Sequence, residues 1–99
     1  MRIFSVRDQK AQAYLQPFFA PNAAVAIRYV QAAVDDEAHE FRRHAEDYVL
    51  FEVGGFDETD GTLDPLNPPN VLCKCIDLLP PMPQPMPRVA GTPIPEGGE

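Results

Sequence analysis

Serine is almost missing from this chain: Ser5 is the only one in 99 residues, and it lies inside an apolar run that reads as a strand, so no serine nucleophile stands in a recognisable catalytic setting. Histidine is nearly as scarce. His39 and His44 lie among Asp36, Glu40, Glu46 and Asp47, where solvated loop histidines explain them better than an acid–base pair. The two cysteines, Cys73 and Cys75, are one residue apart, too close for an unstrained bridge on an extended chain, so reduced thiols are expected. Completing a zinc site would require both histidines, whose i, i+5 spacing is poor for one helix face. No apolar run approaches the roughly 18 residues of a membrane helix, and no charged segment followed by an apolar stretch marks a secretory leader. No catalytic residue, metal, cofactor or membrane association is expected.

What is present is acid, unevenly spread. The net charge of −7 hides a first third, residues 1–34, that is positive through Arg2, Arg7, Lys10 and Arg28 against Asp8 alone. Residues 35–64 carry eleven carboxylates against Arg42 and Arg43. An acidic total opposes non-specific attachment to a phosphate backbone, since that affinity comes from neutralising phosphates with Lys and Arg. Asp57 to Gly61 has the carboxylate density of a cation loop but lacks the Asp-x-Asp-x-Asp-Gly order of a calcium hand. Solvated turn chemistry accounts for it.

Ten of the twelve prolines fall in the last 35 residues. They divide the chain into a compact domain over 1–79 and a tail over 80–99, where proline removes backbone donors and leaves polyproline II or disorder. The tail begins Pro80-Pro81-Met82-Pro83, the minimal P-x-x-P spacing, with Arg88 as flanking cation. Pro80, Pro81, Pro83 and Arg88 are therefore candidate partner-docking residues, although a flexible linker explains the same composition.

Within the domain, Arg2 to Arg7 alternates as a half-buried strand. Ala13 to Phe19 is a second extended segment, with Pro17 marking an edge or bulge, and the two pair most simply as a hairpin. Pro21 stops the strand, and Asn22 caps a helix running to about Val34, whose stripe Ala23, Ala26, Ile27, Val30 and Val34 faces a sheet. Asp36 to Glu46 is a short surface helix or an ordered loop. Tyr48 to Val53 is the strongest strand, with Val49, Phe51 and Val53 on one face and Tyr48, Leu50 and Glu52 on the other. Gly54-Gly55 allows a bend or bulge. A short run, Thr62 to Asp64, and a last strand within Val71 to Leu79 follow, separated by an Asn67–Asn70 turn. The expected class is α+β: one small antiparallel sheet with one main helix packed on one face, in the order β-β-α-β-β. So small a core makes a homodimer through the sheet edge a fair expectation.

Aromatics interleave with the cations of the first third, and single-stranded nucleic acid is bound by rings that stack on bases beside a positive track. Arg2, Arg7, Lys10, Arg28, Tyr14 and Tyr29 are thus candidate contacts. Against this, Phe4, Phe18 and Phe19 read as core, and four cations are few.

The residues Ile3-Phe4-Ser5-Val6-Arg7-Asp8, Pro17-Phe18-Phe19-Ala20, Asn22, Ala26-Ile27-Arg28, Glu46-Asp47-Tyr48, Gly55-Phe56-Asp57 and Gly61, in that order, resemble the small nonstructural protein of gokushoviruses, single-stranded DNA phages of the microvirus family. The resemblance covers about residues 1 to 66 and leaves the tail outside. It implies a non-capsid viral protein made in the bacterial cytoplasm, an accessory to single-stranded DNA replication or to the switch to genome packaging, with a phage or host replication or packaging protein, or single-stranded DNA itself, as partner. It supplies no catalytic residues. The alternative is an acidic protein-interaction adaptor, or DNA mimic, that engages such a factor through its acidic middle and proline-rich tail.

Overall fold

In the computed structural model, residues 1–81 are described. Five antiparallel strands, β1 (Arg2–Asp8), β2 (Ala13–Tyr14), β3 (Phe18–Ala20), β4 (Tyr48–Phe56) and β5 (Leu63–Lys74), form one sheet. β1 and β4 are central. β5 forms one edge, and β2 and β3 both pair with β1 to form the other. The single extended segment expected over Ala13 to Phe19 is thus two short strands. The chain leaves the ladder around Pro17, which has no N–H to donate, and Ser5 fills the gap: its hydroxyl donates to the Leu15 carbonyl at 2.6 Å.

The main helix, α1 (Ala23–Asp35), starts where expected: the Asn22 side chain accepts from the Val25 N–H at 3.0 Å. Ala26, Val30 and Val34 pack on Phe4, Val6 and Leu50 to form the core. Asn22→Ala should therefore cost about 1 kcal/mol, read as a lower urea midpoint with an unchanged m-value. The polar stretch that follows is part helix and part loop. A one-turn α2 (Glu40–Arg43) and a 3₁₀ turn (Ala45–Asp47) lead into β4.

β4 does not stop at Val53. Its partner in the ladder changes from Phe4↔Glu52 to Ile3↔Gly54, leaving Val53 as the bulged residue, and the strand continues through both glycines to Phe56. Where a turn was expected at Asn67–Asn70, β5 instead runs on past Pro65, Pro68 and Pro69. Prolines are tolerated there because this is an edge strand and because the register jumps from Gly54↔Pro65 to Glu52↔Asn70, taking residues 66–69 out of the ladder. The Asn67–Pro68 peptide is cis. β5 ends at Lys74, so Cys75 is not a strand residue. It opens a 3₁₀ turn (Cys75–Leu78) and is fully buried in the core. The prolines also remove much of the β5 edge that a second sheet would pair with, which leaves Asn70 to Lys74 as its longest proline-free run.

Candidate nucleic-acid interface

Cross-strand partners point to the same side of a sheet, so the register sorts every ladder residue onto one of two faces. The covered face carries Phe4, Val6, Phe18, Tyr48 and Leu50 beneath α1, and also Arg2, Glu52 and Asp64. The opposite, open face carries Ile3, Arg7, Tyr14, Phe19, Phe51, Phe56, Leu63, Val71 and Lys74, with Ser5 and Val49 buried among them. Among these ladder positions there is no carboxylate.

The candidate contacts divide between these surfaces. Arg7 and Tyr14 are paired neighbours on the open face, with the guanidinium carbon 5.7 Å from the ring centroid, within cation–π range. The Arg7 guanidinium also donates to Gln9. Lys10 stands exposed in the turn beyond them, a turn held by Asp8, whose Oδ1 accepts from the Lys10 and Ala11 N–H groups at 3.0 and 3.1 Å. Arg2 lies on the other face, where its Nε donates to Glu52 Oε2 at 2.5 Å, so its charge is compensated. Arg28 and Tyr29 are exposed on α1, the far side of the molecule. Tyr29 instead borders a groove of about 230 Å³ lined by Val6, Leu15, Phe18, Val30 and Phe41. Pro80 and Pro81 are exposed, whereas Pro83, Arg88 and the rest of the tail lie outside the described residues.

Four further residues belong with Arg7 and Tyr14. Phe51 meets Tyr14 edge-on with ring centroids 5.4 Å apart, and Phe19 meets Phe56 in the same way at 5.7 Å. Lys74 pairs with Val49 on the same face. Phe19 is 48% exposed, which corrects its reading as core: Phe18 alone turns inward, 5.8 Å from Phe4. The signal for this face was strand alternation, which already grouped Phe51 with Val49. Which group the helix covers is decided only by the tertiary packing.

The acidic middle does not form one row. Asp57, Glu58, Asp60 and Asp64 gather around the β4–β5 turn, whereas Asp35, Asp36, Glu37, Glu40, Glu46 and Asp47 lie before β4 begins. The nine residues of β4 separate the two groups, roughly 27 Å at strand rise. Among the described residues, the one group that brings three metal-type donors within 4.8 Å of one another is His44, Glu46 and Asp47, of which His44 and Glu46 are exposed. The cysteines are not part of it. Burial pushes the Cys75 thiol up to about 11 and raises Cys73 as well, which disfavours the thiolate a soft metal would need. Desolvation, followed by the hydrogen bond to Glu40 at 2.9 Å, pushes the Tyr48 hydroxyl up to about 12, so it anchors α2 as a neutral donor.

These features define a small α+β domain with one helix-covered sheet face and one open face that is cationic and aromatic. The chain matches the family model described as Phage ORF5 protein over residues 1–78 and belongs to that family. It is thus a phage protein, and the match extends past the part of the chain that carried the sequence resemblance. Neither the curated proteins nor the solved structures contain a match to it. Among the described residues no helix is long and apolar enough to cross a membrane.

Proposed function

We propose that this protein is a non-enzymatic accessory of a gokushovirus, acting in the host cytoplasm during synthesis of the single-stranded DNA genome or the switch to its packaging, and that it touches single-stranded DNA directly. The observation that carries this reading is the Arg7–Tyr14 pair beside Lys10, a ring and two cations at one end of a sheet face without carboxylates. Membership of the Phage ORF5 family supports the phage setting. The overall acidity then acts as selectivity: it suppresses loose attachment to any polyanion and leaves one surface where a strand can approach.

Fluorescence anisotropy with labelled oligothymidylate at low salt tests it. The wild-type chain should bind, and the Arg7→Ala/Lys10→Ala double variant should bind several-fold more weakly, with a salt slope flatter by about 2, one unit for each phosphate that is no longer neutralised. An absence of affinity in the wild type, or equal affinity in the double variant, rejects direct contact. The second reading is an adaptor for a host or phage replication or packaging protein, favoured by the exposed carboxylates of the β4–β5 turn. A pull-down from infected cells distinguishes it, since partner recovery that survives Arg7→Ala/Lys10→Ala but disappears on truncating the tail at residue 80 belongs to the adaptor.

A further inference from the structure

We infer that the open sheet face as a whole is a base-stacking track for one single strand of DNA, with two ring stations, Tyr14/Phe51 and Phe19/Phe56, and with Arg7 and Lys74 placed to meet phosphates. This rests on the function proposed above and deepens it: Phe19, Phe51, Phe56 and Lys74 become contact residues, and α1 with Arg28 and Tyr29 is excluded from the contact.

Three observations converge on it. The first is how the charges are sorted. In a chain of net charge −7, carboxylates occupy ladder positions on the covered face, at Asp8, Glu52 and Asp64, and none on the open face, where the charged residues are Arg7 and Lys74. Such a face complements an anion. The second is that bulky apolar groups stay on this wet side: Tyr14 is 44%, Phe19 48% and Val71 60% exposed. Leaving large rings and a branched side chain in water without a partner is unfavourable. The third is spacing. The stations are anchored at Ile3↔Phe19 and Arg7↔Tyr14, four residues apart along β1 and so about 13 Å at strand rise. Extended single strands span that distance in about two nucleotides, and every base offers a π-face to such rings whatever its sequence.

The same charge argument decides against a second copy of the chain as the occupant. Two-fold packing of this face on itself would bring Arg7 and Lys74 of both copies into one dry interface with no ladder carboxylate to pair with them, and desolvating unpaired charge is costly. A duplex is disfavoured because its bases are already stacked on one another and are not available to the rings.

The test uses the full chain and a labelled oligothymidylate of about a dozen nucleotides, within the usual site sizes for such surfaces. Phe51→Leu and Phe19→Leu keep apolar bulk while removing the ring, and each should weaken binding about fivefold or more, whereas Phe51→Tyr should bind like the wild type. Val71→Glu and Val71→Lys alter an exposed position without touching the core, so they fold regardless: the first should weaken binding several-fold, and the second should strengthen it and steepen the salt slope by about 1. The chain has no tryptophan, so quenching of tyrosine emission on binding reads the stacking of Tyr14 and should vanish in Tyr14→Leu.

If the wild type binds no single strand, the proposed function and this inference fall together. If it binds and depends on Arg7 and Lys10, yet the leucine and Val71 variants bind as the wild type does, the track is rejected and the proposed function stands. Equal affinity for duplex and single strand overturns the stacking mechanism. A dimer abolished by Val71→Glu with DNA affinity unchanged would assign the face to self-association and overturn the inference.

Discussion

Phe4→Ala is expected to cost about 3–5 kcal/mol, the usual range for emptying a phenylalanine site in a packed core. Phe4 is fully buried on a central strand. It stacks on Phe18 with ring centroids 5.8 Å apart and lies beneath Ala26 and Val30 of α1, so no neighbour is free to collapse into the space. A small domain has about 5–15 kcal/mol of total stability, and the variant should sit close to its unfolding transition at 25 °C, read as a urea midpoint less than half the wild-type value or as a partly unfolded baseline. Phe19→Ala serves as the internal control. Phe18 and Phe19 are adjacent, yet Phe19 stands on the open face, 48% exposed and touching only Phe56 among the rings. Its removal should cost under about 1 kcal/mol, in line with an exposed aromatic pair, while DNA affinity falls. Equal destabilisation at Phe4 and Phe19 would mean that the two faces are not differently packed.

That contrast shows which parts of the molecule were legible in its sequence. The helix was, because its evidence is local: Asn22 supplies a cap, and the apolar stripe repeats at 3.6 residues, so no distant residue need be known. The alternation in β1 and at the start of β4 was equally plain. β5 was not legible, because proline signals a turn wherever the residue's neighbours are unknown. Only the sheet order shows that Pro65, Pro68 and Pro69 sit on an edge, where a missing N–H leaves no partner unsatisfied. The candidate site was half visible for the same reason. Composition singled out Arg7, Lys10 and Tyr14, and tertiary structure alone could pair Arg2 with Glu52, carry Arg28 and Tyr29 to the far side, and bring Phe51 of β4 against Tyr14 of β2.

Gly54 and Gly55 look interchangeable in the sequence, and the structure gives them opposite tolerances. A Cβ on Gly54 would lie 2.8 Å from the Asp64 carbonyl oxygen and 3.2 Å from the Pro65 Cα, both backbone atoms of β5. Neither can move without parting the ladder at Gly54↔Pro65 and Gly55↔Asp64. A Cβ on Gly55 would meet the Arg2 guanidinium instead, the far end of a flexible side chain, which can swing away at the expense of its pair with Glu52. Partly exposed pairs of that kind contribute about 0–1 kcal/mol. Gly54→Ala should therefore cost about 1–3 kcal/mol, as overpacking does, and should speed amide exchange at Asp57 and Gly61, whose N–H groups donate to the Thr62 and Asp57 carbonyls at 2.9 and 2.7 Å and close this hairpin. Gly55→Ala should stay within about 1 kcal/mol and leave those amides protected. Because the β4–β5 turn also carries Asp57, Glu58 and Asp60, loosening it by Gly54→Ala frees an acidic loop that adjoins Phe56 at one end of the open face. Single-strand affinity should then fall along with stability, whereas Gly55→Ala, which leaves the turn in place and releases the Arg2 charge, should not weaken binding. The reverse order in either measurement would contradict both the packing of this hairpin and the placement of the DNA track beside it.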